Sequence, residues 1–287
     1  MNGAASTPPG KGGQSDEDPP DTRPPSALVI AGSDPSGGAG LQMDLKVLQS
    51  LGVYGMGVVT ALTVQDTRQV HEVFPVDPFL VERQMETVLD DVGADCLKIG
   101  MLARRATVEL VARVCARKAR GIPIVLDPVL VSSSGHELLE VEGHTPLIRR
   151  LMPLCALVTP NAPEAELITG IRITEEAHLH QAADRMLLMG QAAVFLTGGH
   201  LPGDVVVDLL RTADGLERRF EAPRWPESPH GTGCALASAI AAGLAHGYTL
   251  ESAVERAHAF VHAAIPAAAR LGSGRLCLLP GAAGQHA

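Results

Sequence analysis

The chain has 287 residues, enough for one large domain, and its formal net charge of −9 argues against a general attraction to nucleic acid or to an anionic membrane. Aromatic residues make up only 3%, which leaves little material for base-stacking surfaces, and no apolar stretch is long enough to span a bilayer. The five cysteines form neither a CxxC pair nor a zinc-like cluster with histidine. We therefore expect reduced thiols, no nucleic-acid partner and no membrane partner.

Residues 1–25 are rich in Gly, Pro, Ser and Asp and contain almost no large apolar side chain. Such a segment cannot bury enough surface to offset its ordering entropy, which predicts a disordered tail. It has no apolar core of a secretion signal and is too acidic for a typical mitochondrial presequence, which favours a cytoplasmic protein. Residues 26–287 are expected to form a single domain.

From residue 27 onward, short apolar runs alternate with amphipathic stretches. The runs typical of buried parallel strands are 27–31, 57–62, 96–99, 124–126, 156–158 and 193–196. Apolar spacing predicts helices over 41–51, 78–92, 106–120 and 173–189, then a hairpin of 205–210 with 217–222, and closing helices over 231–247 and 250–271. This alternation predicts an α/β fold with a mostly parallel central sheet and helices on both faces.

In such a sheet, ligands bind beyond the carboxyl ends of the strands. The first strand is followed by the glycine-rich loop 32–40, which permits positive φ and a close backbone approach to a ligand. It is not a P-loop, because Gly38 stands where the lysine belongs, and the GxGxxG spacing fails as well. A glycine-rich turn that only caps a helix is the structural alternative.

Polar residues also follow two later strands. Asp127 ends one of them, and Asn161 and Glu164 follow the next, where carboxylates from neighbouring strand ends can share one hydrated Mg²⁺. Taken alone, Glu164 is better explained as an acid in the first turn of a helix, with Thr159 or Asn161 as the cap. Thr197 and Gly199 lie in a further backbone-accessible loop after the strand 193–196.

The most informative segment is His230-Gly231-Thr232-Gly233-Cys234, which precedes an alanine-rich run. A turn into a helix here would direct free N–H groups outward and form an anion site. The same position favours a thiolate and predicts a lowered pKa for Cys234. An ordinary tight turn into a core helix with a buried cysteine has the same signature, so the other segments must decide.

Together these segments resemble one family. The chain is similar to the hydroxymethylpyrimidine/phosphomethylpyrimidine kinases, the thiamin-biosynthetic branch of the ribokinase-like superfamily, over about nine-tenths of its length. The matching motifs, all in family order, are AGSDPSGGAGLQMDLK from residue 31, TALTVQDT from 60, KIGML from 98, LDPVL from 126, TPNAPEAE from 159, GGH from 198 and HGTGC from 230.

The resemblance implies a ribokinase-like α/β sandwich and an ATP- and Mg²⁺-dependent kinase that phosphorylates 4-amino-5-hydroxymethyl-2-methylpyrimidine and then its monophosphate. It implies a homodimer as well. By carry-over, Asp44 and Gln65 would hydrogen-bond the aminopyrimidine, while Gly231, Thr232, Gly233 and Cys234 would serve phosphoryl transfer. The remaining implied contacts are Gly32, Met101 and Val129 for the pyrimidine, Asn161, Thr197 and Gly199 for ATP, and Asp127 and Glu164 for the metal.

The chain departs from the family pattern at several positions. Thr197 and Ser133 stand where many members carry lysine, which removes positive charge near the phosphates and bears on ATP affinity. Asp66 is commonly asparagine in the family, and the usual glycine-rich, histidine-containing end is replaced by 271–277.

Three other functions stay open at this level. Pyridoxal kinase is one, since members of this cysteine-bearing branch can accept a hydroxymethyl-pyridine. A non-catalytic pyrimidine sensor is another, although it would not need the Mg²⁺ carboxylates. A cysteine hydrolase would require a histidine oriented on Cys234, and His230 is the near candidate in sequence.

Overall fold

The computed structural model of the protein describes residues 23–132 and 135–283. Most of the expected N-terminal tail, and the departure noted at Ser133, lie outside these residues. Within them the strands are β1 (Ser26–Ser33), β2 (Tyr54–Gln65), β3 (Val70–Pro75), β4 (Cys96–Ile99), β5 (Ile124–Leu126), β6 (Leu157–Val158), β7 (Ala193–Leu196), β8 (Val205–Thr212) and β9 (Glu217–Pro223).

The described strands form one sheet in the order β3-β2-β1-β4-β5-β6-β7-β8-β9. The six central strands, in the order β2-β1-β4-β5-β6-β7, pair in parallel. Strand β3 at one edge of the sheet pairs antiparallel, as do β8 and β9 at the other edge. The parallel strands read as continuous apolar runs because helices cover both of their faces.

The helices are α1 (Gly40–Ser50), α2 (Pro78–Asp91), α3 (Arg105–Lys118), α4 (His144–Pro146), α5 (Ala162–Thr169), α6 (Glu176–Leu188), α7 (Thr232–Ala245), α8 (Leu250–Ala264) and α9 (Pro280–Ala283). One core lies between the sheet and α2, α3, α5 and α6, and a second lies between the sheet and α1, α7 and α8. This arrangement confirms the predicted α/β sandwich of the ribokinase-like type.

Two predicted details are wrong. The helix expected over 250–271 ends at Ala264 and passes into a 3₁₀ turn, because Pro266 offers no N–H to continue the ladder. Strand β3 was missed, since three of its six residues are exposed and only Val70 is buried. Among the helices of the described residues, none combines the length and apolarity needed to cross a bilayer.

Candidate active site

The carboxyl ends of the parallel strands open into a cavity of about 780 Å³. Every site residue expected from the sequence except Asp44 lines it. These residues are Gly32, Gln65, Met101, Asp127, Val129, Asn161, Glu164, Thr197, Gly199, Gly231, Thr232, Gly233 and Cys234. The topology brings them together because the loops that carry them all leave the same edge of the sheet.

The loop after β1 is shaped by Asp34, which is 3% exposed. Its Oδ1 accepts hydrogen bonds from the backbone N–H and the hydroxyl of Ser36, and its Oδ2 accepts one from the Ala39 N–H at 2.8 Å. The Gln42 side chain reaches back from α1 and accepts the Asp34 N–H at 2.8 Å. The loop is therefore held by its own polar side chains before any ligand binds.

The turn before α7 packs against that loop. Gly231 has a φ of 87°, and a Cβ atom there would lie 2.0 Å from the carbonyl oxygen of Gly38, so no other residue fits without moving the backbone. The helical ladder starts when the Ala235 N–H donates to the Gly231 carbonyl at 2.9 Å. The N–H groups of Thr232, Gly233 and Cys234 precede the ladder, which is the arrangement of an anion site.

The thiol of Cys234 does not have the lowered pKa that the sequence predicted. Burial raises its pKa to about 12, the Lys98 charge opposes the rise, and the Asp44 and Asp127 charges add to it. The Gly40 N–H, which donates to this thiol, also opposes the rise. Cys234 is therefore a protonated thiol at neutral pH in the ligand-free protein, because desolvation outweighs its favourable place at a helix N-terminus.

Asp44 is the one expected site residue that does not line the cavity. Its carboxylate has no exposed surface and accepts both Lys98 Nζ, at 2.9 and 3.0 Å, and the Ser238 hydroxyl, at 2.8 Å. In the structure Asp44 is thus the partner of a buried lysine, and its contact with the pyrimidine stays a prediction. Burial by itself would lower the pKa of Lys98, but the Asp44, Cys234 and Asp127 charges raise it above its ordinary value.

Gln65 lies at the end of β2 on the wall of the cavity. Its amide nitrogen is 3.1 Å from Nε2 of His230, and its amide oxygen is 3.3 Å from the Thr63 hydroxyl. His230 Nε2 is also 3.6 Å from the Asp34 carboxylate. This ring nitrogen therefore faces Gln65 and Asp34, so the described contacts do not show the Cys234-directed histidine that a cysteine hydrolase requires.

Apolar side chains complete this end of the cavity. Met101 is 7% exposed and packs with Ala61 and the half-buried Val129. A Cβ atom on Gly32 would lie 2.8 Å from the Met101 sulfur, so the glycine allows the side chain to pass directly over the backbone of the first loop. The Gln65 amide, together with the apolar side chains of Met101 and Val129, suits a flat ring that has polar atoms at its edge.

Asn161 and Glu164 form a capping box at the start of α5. The Asn161 side chain accepts the Glu164 N–H, and the Glu164 carboxylate accepts the Asn161 N–H, each at 2.9 Å. The helix-capping explanation for Glu164 is thus satisfied, but the residue also stands beside a second carboxylate. Burial raises the pKa of Glu164 well above its usual range, and the Asp127 charge adds to this. Burial also raises the pKa of Asp127 to about 6, with Lys98 opposing.

Two buried carboxylates that share a cavity wall form an oxygen donor set that a hard divalent cation would neutralise. Asp127 and Glu164 are each only 6% exposed, and both line the cavity. The residues present therefore fit Mg²⁺.

Two arginines, Arg224 and Arg275, place positive charge near the 198–200 turn. Thr197 stands where many family members carry a lysine. The Arg224 guanidinium donates to the carbonyls of Gly199, Leu201 and Gly203 and fixes that turn. Arg275 lines the same cavity and donates to the Ser228 carbonyl. Burial, with the charges of both arginines, lowers the pKa of His200.

Sequence reasoning missed the roles of Lys98, His230 and Arg275. For Lys98 a signal was present: a lysine inside a four-residue run that reads as a buried strand requires a buried partner. For Arg275 there was none, since it belongs to the segment that departs from the family, and only the fold brings that segment to Thr67. The Arg275 N–H donates to the Thr67 carbonyl at 2.9 Å.

Comparison with known proteins identifies the family of this chain. The family model for phosphomethylpyrimidine kinase matches residues 34–278. A hydroxymethylpyrimidine/phosphomethylpyrimidine kinase of Rhizobium meliloti is 46% identical over 252 residues, which cover 87% of this chain and 94% of that protein.

The similar solved structures include a phosphomethylpyrimidine kinase and a pyridoxal kinase. The chain is similar to phosphomethylpyrimidine kinase from Clostridium difficile, with a TM-score of 0.73 and 36% identity over 82% of this chain and 97% of that one. It is also similar to Bacillus subtilis pyridoxal kinase in an ADP complex, with a TM-score of 0.82 and 33% identity over 90% of this chain and 97% of that one.

Proposed function

We propose that this chain, which belongs to the phosphomethylpyrimidine kinase family, uses ATP to phosphorylate 4-amino-5-hydroxymethyl-2-methylpyrimidine and then its monophosphate in thiamin biosynthesis. One observation carries the proposal. A single cavity is lined by Gln65 and Met101, by the turn at the start of α7 with its free N–H groups, and by the buried pair Asp127 and Glu164.

Gln65 is proposed to hydrogen-bond the edge of the pyrimidine. An aminopyrimidine edge offers both a donor and an acceptor, and a primary amide can satisfy both. The amide is already oriented by Thr63 and His230, so little side-chain freedom is lost when the ring binds. Gly32, Met101 and Val129 are proposed to contact the ring faces.

In the transfer, the hydroxymethyl oxygen forms a bond to the γ-phosphorus of ATP, the bond from that phosphorus to the bridging oxygen breaks, and ADP leaves. The Thr232, Gly233 and Cys234 N–H groups, together with the turn at Gly231, are proposed to stabilise the charge on the phosphoryl oxygens. We assign acceptance of the hydroxyl proton to the thiolate of Cys234, so the thiol must lose its own proton before the transfer. Lys98 favours the thiolate that this role requires, whereas Asp44 and Asp127 oppose it.

Asp127 and Glu164 are proposed to hold Mg²⁺ through one or both carboxylates. When bound, the ion would neutralise charge on the ATP phosphates. Asn161, Thr197 and Gly199 are proposed to contact ATP, with Arg275 as an additional cation near the 198–200 turn. The Thr197 N–H is already used by the Pro160 carbonyl at 3.1 Å, so its hydroxyl is the group available for a ligand.

The test is ADP release measured side by side on the pyrimidine alcohol, its monophosphate and pyridoxal. We expect the highest kcat/KM on the first two. The structural similarity to pyridoxal kinases makes that activity the second candidate, and a higher kcat/KM on pyridoxal would select it. Pyrimidine binding with no ADP release from any of the three compounds would instead indicate a sensor.

A homodimer is proposed from the exposed edge of the sheet. Leu62 and Phe74 are directly paired across β2 and β3, yet each is more than half exposed. Apolar neighbours of this size on one surface are typical of an interface. Sedimentation should give a dimer for the wild type and a monomer for Leu62→Asp, whereas a monomeric wild type would contradict the proposal. The five unpaired cysteines fit a reducing, cytoplasmic compartment.

A further inference from the structure

A second group of ligating side chains lies on another wall of the same cavity. Asp208 on β8 and His258 and His262 on α8 each direct one donor atom to a common point, and these three atoms all lie within 4.8 Å of one another. The two histidines are four residues apart on a helix, which places both rings on one face. Their ring centroids are 4.3 Å apart.

The two histidine donor atoms in this group are unsatisfied. His258 Nε2 and His262 Nδ1 are both buried and have no hydrogen-bond partner among the described residues. Oδ1 of Asp208 accepts the Gly198 N–H at 2.9 Å, but its Oδ2 stays 3.7 Å from His258 Nε2, which is beyond hydrogen-bond distance. Buried polar atoms without partners are costly, and a concentration of them at one point suggests an absent ligand.

The chemistry of the group identifies that ligand. A neutral imidazole has one ring nitrogen with a free lone pair, and His258 Nε2 and His262 Nδ1 are the buried ring nitrogens of this group that lack a partner in the described part of the chain. Two imidazole nitrogens and a carboxylate oxygen are the donor set of first-row transition ions, whereas Mg²⁺ prefers oxygen donors and retained water.

We propose that Asp208, His258 and His262 bind a divalent transition-metal ion of the Zn²⁺ class, separate from the Mg²⁺ carboxylates Asp127 and Glu164. Metal–nitrogen bonds of about 2.0–2.1 Å place tetrahedral ligands roughly 3.4 Å apart, so the side chains must close by about 1 Å around the ion. Three protein ligands leave the fourth position to water or to a small ligand in the cavity, which Val261 and Leu236 also line.

The experiment is a titration of untagged, chelator-treated protein with Co²⁺ and with Zn²⁺ in excess Mg²⁺. Binding is followed by the visible absorption of Co²⁺ and by calorimetry for Zn²⁺, so that kinase activity is not the readout. We expect one equivalent to bind, and Zn²⁺ to raise Tm. His262→Ala and Asp208→Asn should each weaken binding at least about tenfold. Asp208→Asn keeps an oxygen for the Gly198 N–H, so it remains informative if the histidine variant unfolds.

Two matched controls locate the ion. His71→Ala removes a histidine from the exposed edge strand and should leave binding unchanged, and Glu164→Gln alters only the Mg²⁺ carboxylates and should also leave it unchanged. Equal affinity in all variants, no binding by the wild type, or loss of binding in Glu164→Gln overturns the proposal. A failed kinase assay with normal metal binding would count only against the proposed function.

Discussion

The Nζ atom of Lys98 lies 2.9 Å from Oδ2 of Asp44, and neither side chain has any exposed surface. This ion pair joins β4 to α1 directly beneath the cavity, and Ser238 ties it to α7. Its ammonium is close enough to Cys234 and Asp127 for those groups to shift its pKa. The floor of the cavity thus contains a buried network of charged and polar side chains and not a packed apolar layer.

The first prediction follows from the complete burial of this ion pair. Asp44→Asn leaves the Lys98 ammonium without a counter-charge, and we expect the free energy of unfolding to fall by about 3–5 kcal/mol. The double variant Asp44→Leu with Lys98→Met should recover most of the loss, because two apolar side chains then replace the buried ion pair. Urea denaturation at neutral pH measures both.

A surface pair provides the control for this experiment. Lys118 and Asp90 lie 2.6 Å apart but are partly exposed, so Asp90→Asn should cost at most about 1 kcal/mol. If Asp44→Asn is as stable as the wild type but has a raised KM for the pyrimidine, then Asp44 reads the ring, as the family resemblance implied.

The second prediction concerns Cys234. Its pKa of about 12 means that the thiolate fraction, and with it the rate of alkylation by iodoacetamide, should rise about tenfold per pH unit from pH 7 to 10. The native thiol holds its proton more tightly than the unfolded one. Its contribution to stability is therefore complete below pH 9 and is lost as pH rises toward 12.

Alkylation is followed by mass spectrometry, and the four other cysteines are buried and should react more slowly. A rate that levels off near pH 8 would show the lowered pKa expected from the helix N-terminus. Cys234→Ala should reduce kcat at least about a hundredfold while leaving the fold intact, and near-normal turnover would eliminate the proton-acceptor role.

Most of the sheet could be predicted because buried parallel strands are uninterrupted apolar runs, and three strands, β4, β5 and β7, begin and end where the sequence predicts. The cavity lining could also be predicted, since loops at one sheet edge converge. What the sequence could not give is the set of contacts across distant segments. Asp44 appears in a ligand-binding motif, yet its partners Lys98 and Ser238 lie 54 and 194 residues away.

The third prediction tests the assignment of Gln65 to the pyrimidine. Gln65→Leu should weaken pyrimidine binding by about 1–3 kcal/mol, because buried partners on the ring are left unpaired, and should leave the affinity for ATP almost unchanged. Gln69→Leu is a matched control, since this glutamine is exposed and bonds to His71. Calorimetry with each ligand separates the outcomes, and an equal loss for both ligands contradicts the assignment.

The fourth prediction addresses the missing family lysines. If Arg275 supplies charge to the phosphates in place of a lysine near Thr197, Arg275→Gln should raise the KM for ATP several-fold while changing the KM for the pyrimidine little. Arg270→Gln, on an exposed residue that pairs with Glu227, is the control for loss of a nearby charge. Identical ATP kinetics in the two variants would remove Arg275 from the nucleotide site.

Glu164 gives the last prediction, because its two roles respond differently to one substitution. Glutamine at this position can still accept the Asn161 N–H, so the capping box survives and Glu164→Gln should change stability by less than about 1 kcal/mol. The negative charge beside Asp127 is gone, however, so the Mg²⁺ concentration for half-maximal rate should rise. Thr249→Ala is the control, since it removes the N-cap of α8, where the Thr249 hydroxyl accepts the Ser252 N–H. That variant should lose about 1 kcal/mol of stability with normal Mg²⁺ dependence. An unchanged Mg²⁺ dependence in Glu164→Gln would falsify the metal role and leave the residue as a helix cap.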